Sequence, residues 1–512
     1  MFCERTDLVR KFVHSDLKFT PSLSIYYLAG RNMKSYPILI FIMFATFCSF
    51  SQEKSLDPAI TDTFLVYLQS LHLSKTVKIK EIQVHGNEVT RRTILLREMN
   101  INEAEIILTD SIPDLISENT LRLRNLSLFN EIDMRIEMVS ADEIIWHIHV
   151  KERWYIIPEV SVGLADRNFN QWWVEQHHNI NRINFVLAAE DKNFRGNLET
   201  LTAFAQIGYT QKFLINYMRP YINKAQKSGL GFTASYSTNR QIFYETDSNK
   251  QVYAGTYTSP ILLRQAEATI SYYYRPAYAV RHIFQFGYRD YKVADTVLQL
   301  NKNYFADSST HLRMLEFVYR LEVNHVDNWD YPLHGNKLVL QASSRIGFEG
   351  IKFQNLVTLE AGIFRNPSYK WFFTTIFRGR LMLPQQQPYA LTEGLGFMAN
   401  YVRGYEYYVV NGSNYGILRF DLKRELFNHT FNNIPIKYLT AFPLRIYPKI
   451  FTDIGAINTL YPAASNSFLS NQLLYAFGVG VDIITAYDLK IRLEFAYNGL
   501  NQKGLYLHTS SE

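Results

Sequence analysis

The sequence predicts a mainly β protein: a 16-stranded antiparallel transmembrane β-barrel preceded by one small α/β domain of order β-α-α-β-β. Three observations carry that expectation. The 512 residues include 35 Tyr and 35 Phe, more than a compact water-soluble core can use, and such side chains favour membrane interfaces. Beyond residue 158 the chain is a succession of short segments alternating at period two, with no apolar run of helical length. Between residues 76 and 157 the period switches between strand and helix, which fits a separate folded unit. With 20% charged and 47% apolar residues, wholesale disorder is excluded.

The N-terminal region reads as an export signal. Its one strongly apolar run, Pro37 to Phe50, is shorter than the roughly 20 residues a spanning helix needs. Met33 and Lys34 precede it, and Ser49 and Ser51 supply small residues for a cut after Ser51, so residues 1–51 divide into a misassigned extension and a signal peptide starting at Met33. The mature chain then begins at Gln52. Lipidation at Cys48 is the alternative, but Thr46 and Phe47 lack the small side chains it wants. Cys3 and Cys48 both precede the cut, so the exported protein has no thiol, which excludes disulfides and cysteine metal sites. The net charge of +6 is spread along the chain and no nucleic-acid motif occurs, so nucleic acid is not an expected partner.

Residues 52–75 form a polar linker with a helix around Thr61 to Leu73. In the domain at 76–157, Val77, Ile79, Ile82 and Val84 mark a strand ending at the turn His85-Gly86-Asn87. Thr90 is the expected N-cap of a helix over Arg91 to Met99 with Ile94 and Leu95 inward, and a second helix runs from about Ile112 to Leu126. Two strands follow, Phe129 to Ile136 and Glu143 to Tyr155.

These residues resemble a POTRA domain, the polypeptide-transport-associated module. The matching motifs are Ile82 to Asn87, Thr90 to Glu98, Leu128 to Ile132 and Val150 to Tyr155. The resemblance implies a three-stranded sheet with open edges, along which an extended client segment adds as a further strand. A domain that only spaces or plugs the barrel is the other reading. His147 and His149 share one strand face, which suits a metal, yet no third ligand is near in sequence and an exposed polar face explains them more simply. The same holds for His177 and His178, so neither metal nor cofactor is expected.

The clearest barrel strand is Lys490 to Tyr497: Ile491, Leu493, Phe495 and Tyr497 lie on one face, Lys490, Arg492, Glu494 and Ala496 on the other. A Lys or Arg against hydrocarbon costs about 2–4 kcal/mol at the midplane, so the charged face looks inward. Leu418, Phe420 and Leu422 against Arg419, Asp421 and Lys423 repeat the arrangement, as do Phe377, Gly379 and Leu381 against Arg378 and Arg380. The lumen is therefore expected to be polar and wet. Strand starts are expected near residues 158, 180, 197, 211, 229, 264, 280, 311, 336, 352, 370, 415, 444, 472, 488 and 502, an even number that permits antiparallel closure. A soluble sandwich or propeller with so many aromatic outer faces would aggregate.

Val402-Arg403-Gly404-Tyr405-Glu406 falls in a long connection, and Phe451-Thr452-Asp453-Ile454-Gly455 lies two strands further on. The pair resembles the BamA/TamA superfamily of outer-membrane assembly and translocation barrels. The resemblance implies that the sixth extracellular loop enters the lumen and sets Arg403 against Asp453 on the thirteenth strand. An arginine fork and a carboxylate can hold a mobile loop by charge-assisted hydrogen bonds. Gly404 would give the tight turn, Tyr405 apolar packing, and Glu406 an ion partner within the loop. Asp327-Asn328, Tyr331-Pro332 and Gly335 resemble the family's connection before the ninth strand, though any turn uses such residues.

Two features depart from the family. One POTRA copy fits before Pro158 where assembly members carry several, and the terminal strand Gly504 to Ser510 ends without an aromatic residue. The resemblance implies a non-enzymatic barrel in the bacterial outer membrane, with the small domain in the periplasm. It would insert or translocate other polypeptides, with a lateral seam between Pro158 to Asp166 and Gly504 to Ser510. The implied partners are client outer-membrane or exported polypeptides, membrane lipids, and periplasmic or lipoprotein accessory factors. A porin-like channel for small solutes is the alternative. No G-x-S-x-G or H-E-x-x-H motif occurs to suggest an enzyme.

Overall fold

The computed structural model describes residues 74–165, 172–173, 175–256, 258–397, 400–432, 441–459, 467–485 and 489–508. The expected signal peptide, the start at Met33 and the helix over Thr61 to Leu73 lie outside the described residues.

The N-terminal domain contains β1 (Thr76–His85), α1 (Arg92–Glu98), β2 (Ile106–Leu108), α2 (Ile112–Arg124), β3 (Phe129–Ser140) and β4 (Glu143–Glu152). The alternation expected for β4 places Ile144, Trp146, Ile148 and Val150 in the core, where they meet Ile79 and Ile82 of β1, Leu95 of α1 and Leu123 of α2. Two expectations are corrected. The sheet has four strands in the order β2-β1-β4-β3, because the short β2 pairs with Thr76 to Lys78 at the start of β1. At the other side of the sheet β3 is an edge strand, paired with β4 alone. Thr90 does not cap α1: Arg91 precedes the helix without a side-chain cap, and the Thr90 hydroxyl instead meets Tyr155 Oη at 2.8 Å and accepts from Asn193 Nδ2 at 2.8 Å.

The barrel comprises β5 (Ile156–Leu164), β6 (Ile183–Phe194), β7 (Glu199–Gly208), β8 (Thr210–Arg219), β9 (Ser228–Asn239), β12 (Leu263–Ala277), β13 (Val280–Val293), β14 (His311–Val326), β15 (Gly335–Glu349) and β16 (Phe353–Ser368). It continues through β17 (Trp371–Leu383), β18 (Asn414–Arg424), β19 (Phe427–Asn432), β20 (Ala441–Asn458), β21 (Leu473–Ile484), β22 (Lys490–Asn498) and β23 (Lys503–His508). Both β18 and β19 pair with β20, so they form one staggered strand and the antiparallel sheet has 16. Each expected start falls within a few residues of an observed one. Sequence reasoning missed the hairpin β10 (Ile242–Asp247) and β11 (Lys250–Ala254), which stands beyond the barrel wall, and the short helix α3 (Asp295–Leu300).

Strand order follows a ring in which β23 stands next to β5. β5 pairs with β6 over its whole length, and β23 pairs with β22. The terminal residues expected in the last strand beyond His508 lie outside the described residues.

Alternation sorts the wall as the sequence predicts. Phe317, Leu381, Ile450, Phe477, Leu493 and Phe495 are exposed on the outer face, while Arg378, Arg419, Asp421, Lys423, Arg492 and Glu494 are buried inside. Ion pairs run across neighbouring strands within the lumen: Arg289 meets Glu316 at 2.5 Å, Glu316 meets Arg345 at 2.5 Å, and Glu360 meets Lys337 at 2.8 Å and Arg378 at 3.1 Å. The expectation of a wet lumen needs correction on the wall formed by β18, β20 and β22. There Asp453 and Glu494 are fully buried, because a loop fills the space that water would occupy.

The N-terminal domain sits on the turns at one end of the barrel. Glu98 of α1 accepts hydrogen bonds from Arg275 Nη1 and Tyr221 Oη, both at 2.6 Å, and Arg97 Nε donates to the Gln226 carbonyl at 2.7 Å. Arg122 of α2 lies 4.5 Å from the Tyr278 ring centroid. Burial alone would raise the Glu98 carboxyl, but the Arg275 charge and hydrogen bond together with Tyr221 outweigh it and hold the group below the usual carboxylate range.

Candidate functional site

Residues 384–413 connect β17 to β18 at the end opposite the domain, and their tip enters the lumen. The structure brings all the sequence-predicted site residues together there. Arg403 is fully buried. Its Nη2 donates to Asp453 Oδ1 at 2.5 Å, its Nε approaches both Asp453 oxygens at 3.0 Å, and its backbone N–H donates to Asp453 Oδ2 at 3.0 Å. Asp453 lies on β20, the thirteenth strand of the ring, with its side chain inward by the alternation that leaves Ile450 and Ile454 outward. The fork and the carboxylate thus make the paired, charge-assisted contact that geometry favours for these groups.

Each neighbouring motif position has a part in seating the arginine. The Phe451 ring centroid lies 4.0 Å from the guanidinium carbon. Gly455 leaves room for Val402, whose Cγ2 would be 2.5 Å from an added β-carbon. Gly404 adopts φ +87°, a conformation that favours glycine, and its carbonyl accepts from Asn498 Nδ2 at 2.7 Å. Tyr405 is buried among Val402, Ile417, Ile457 and Leu474, and its hydroxyl accepts from the Gly499 N–H at 3.1 Å. Glu406 is an ion partner as expected, but toward a different residue: it faces His508 Nε2 of β23 at 3.5 Å.

Sequence reasoning named one carboxylate, whereas the wall supplies three. Arg403 Nη1 also donates to Asp421 at 2.7 Å and to Glu494 at 3.3 Å. Lys449 bridges Glu494 and Asp482, each at 2.7 Å, and Lys423 lies 3.5 Å from Asp482. Asp482 in turn accepts from Tyr331 Oη at 2.7 Å. The 327–334 turn, read from sequence as an ordinary connection, therefore reaches across the lumen from the domain end. Its own loop is set by Asp327, which accepts from the Leu333 and His334 N–H groups at 3.0 Å. A continuous charged network thus links the loop tip to that turn. The signal for Asp421 and Glu494 was present in their inward phase, but phase does not say which inward charges meet.

Two further contacts fix the loop. Asn249 in the β10–β11 turn exchanges hydrogen bonds with Val409, N–H to Asn249 O at 2.8 Å and Nδ2 to Val409 O at 2.9 Å. On the last strand, Tyr506 Oη lies 3.5 Å from the Gly404 carbonyl, and the His508 ring stacks on Tyr401 at 5.2 Å. β23 is thus held from inside by the loop as well as laterally by β22.

The charge-lined, loop-filled sheet with an apolar exterior defines a membrane-spanning β-barrel with a small domain at one mouth. The chain is similar in structure to CdiB from Escherichia coli, at 11% identity and a TM-score of 0.52, covering 98% of this chain and 94% of that one. It is also similar to CdiB from Acinetobacter baumannii, with 11% identity, a TM-score of 0.47 and coverage of 98% and 96%. BamA from Haemophilus ducreyi lacking POTRA domains 1-3 gives 14% identity, a TM-score of 0.45 and coverage of 85% and 83%. No protein-family model matches the sequence, and no curated protein matches it. The likeness to CdiB from Escherichia coli is one of fold, an outer-membrane-type barrel with a small domain before it.

The histidine reading changes in its premise. His178 packs beside Trp173, with ring centroids 5.2 Å apart. His147 and His149, however, are joined by His85 from β1, which pairs in parallel with β4 and sets His85 opposite His149. Sequence could not show that neighbour, because it depends on which strands pair.

Proposed function

We propose that this chain is a bacterial outer-membrane barrel that inserts or translocates other polypeptides, with its POTRA-like domain in the periplasm and no covalent chemistry of its own. The observation that carries this reading is the position of β23. It is the last strand of the ring, next to β5, and the Arg403 loop touches it through Tyr506 and His508. In this account the loop is a lumenal lock whose release frees the last strand, and an incoming client strand pairs at the edge so opened. The open edge of β3 offers the client, or an accessory lipoprotein, a first docking strand in the periplasm. The likeness to CdiB and BamA is consistent with an outer-membrane insertion or translocation barrel.

A porin-like channel is less well supported, since the loop from one end and Tyr331 from the other both occupy the lumen. Depletion of the protein followed by a census of the outer-membrane and exported proteome tests the proposal. Selective loss of particular outer-membrane or secreted proteins is expected. An unchanged census, together with steady solute flux through wild-type protein in liposomes, would replace it with the channel.

A further inference from the structure

The outer face of the N-terminal domain carries a side-chain cluster that the barrel account leaves unused. The residues of β4 that fill the core force His147 and His149 onto the opposite face, and the parallel register with β1 brings His85 beside them. The three rings lie nearly parallel, with centroids 4.7–6.3 Å apart and planes within 16–19° of one another. One ring nitrogen from each falls within 4.8 Å of the others. His85 Nε2 and His147 Nδ1 are 3.3 Å apart. Two imidazoles bound to one tetrahedral zinc at about 2.0–2.1 Å have their nitrogens about 3.3–3.4 Å apart, so this pair already has the spacing of two ligands.

A second observation points the same way. The other nitrogen of His147, Nε2, faces the Glu137 carboxylate of β3 at 2.9 Å. Histidines that bind metal through one nitrogen commonly donate the other N–H to a carboxylate, which fixes the ring and its tautomer. Arg135, opposite His147 in the β3–β4 register, is turned aside to Asp133 at 2.7 Å.

We propose that His85, His147 and His149 bind one late-transition-metal dication of the zinc class. His147 coordinates through Nδ1, Glu137 is its positioning residue, and water completes the shell. An all-imidazole donor set suits Zn²⁺, Cu²⁺ or Ni²⁺ and is poor for Mg²⁺ or Ca²⁺, which take oxygen ligands. The ion would tie β1 to β4 across their parallel ladder and so staple the start of the domain to its end.

The test uses the full chain without a histidine tag, purified in detergent, stripped with chelator and titrated with ZnCl₂ against a chromophoric competitor. One equivalent is expected to bind, with a loss of tenfold or more in affinity for His85→Ala and for His149→Ala. Glu137→Gln is expected to lose about 10–100-fold, as for carboxylates behind metal-bound histidines. All of these side chains lie on the outer face, away from the domain core. X-ray absorption on the zinc-loaded wild type reads the shell without any variant, and imidazole scattering from three rings is expected. Failure to bind one equivalent, equal affinity in a His85→Ala/His149→Ala double variant, or an oxygen-only shell would each overturn the proposal.

Discussion

Gly455 on β20 and Val402 in the inserted loop are fitted to each other, since a β-carbon on Gly455 would stand 2.5 Å from Val402 Cγ2. That approach lets the Arg403 backbone N–H reach Asp453 on the same strand. Gly455→Val is therefore expected to push the loop tip off the wall while the sheet stays paired. Limited trypsin digestion should then cut at Arg403, which is fully buried in the wild type. A wild-type digestion pattern would show that the fit is not needed.

Arg403→Ala leaves Asp453, Asp421 and Glu494 buried without the cation that faces all three. Removing one partner of a buried ion pair costs about 3–5 kcal/mol, and a barrel destabilised by that amount should lose its compact gel band at a lower temperature. Residues 76–155 should remain folded, since the buried core of that domain is built from its own residues, Val77 to Tyr155. Arg403→Lys is expected to recover little, because a lysine cannot reproduce the two-pronged contact. Heat-modifiability and complementation assays read both variants.

Tyr331 reaches Asp482 from the domain end and lies over Lys423, 4.6 Å from Nζ to ring centroid. Tyr331→Phe removes one hydrogen bond to a charged group, worth about 1.5–3 kcal/mol, and keeps the ring. Tyr331→Ala removes both. Single-channel recordings should show rising conductance in the order wild type, Phe, Ala. Equal conductance in all three would mean that this turn does not obstruct the pore.

Glu98 couples the domain to the barrel through Arg275. Its carboxyl is held below the usual range in the docked state, so its contribution is fully present above the free carboxylate pKa and is lost as pH falls through the lowered, docked value. Docking should therefore be constant from neutral pH down to the ordinary carboxylate range and weaken below it. Glu98→Gln should undock at every pH and abolish that acid dependence. A spin-label distance between the domain and a barrel turn measures both, and acid dependence that survives Glu98→Gln would assign the effect elsewhere.

Beyond Cys48 the sequence has no cysteine. Disulfides introduced between β5 and β23 are expected to halt client insertion, and reduction to restore it. Full activity of an oxidised, locked barrel would remove the seam from the account.

The strands were legible because their signal is local. Lys490 to Tyr497 alternates at period two, and one environment rule, charge away from hydrocarbon, assigns its faces without knowledge of any neighbour. The β10–β11 hairpin was missed because it lies beyond the wall and is not subject to that rule. The motif pair Arg403 and Asp453 was reached through resemblance, whereas Asp421, Glu494 and Lys449 were legible only as inward-facing positions.

The sequence by itself determined the alternating faces and the approximate starts of the barrel strands, because each depends on residues close together in the chain or on a recurring pattern, while the pairing of the two motifs came from resemblance. Tertiary structure alone decided which inward charges pair, that Tyr331 crosses the lumen, and that His85 joins His147 and His149. Those relationships are set by strand register and by how a loop fills the lumen, and a register couples positions far apart in sequence through hydrogen bonds that leave no local trace.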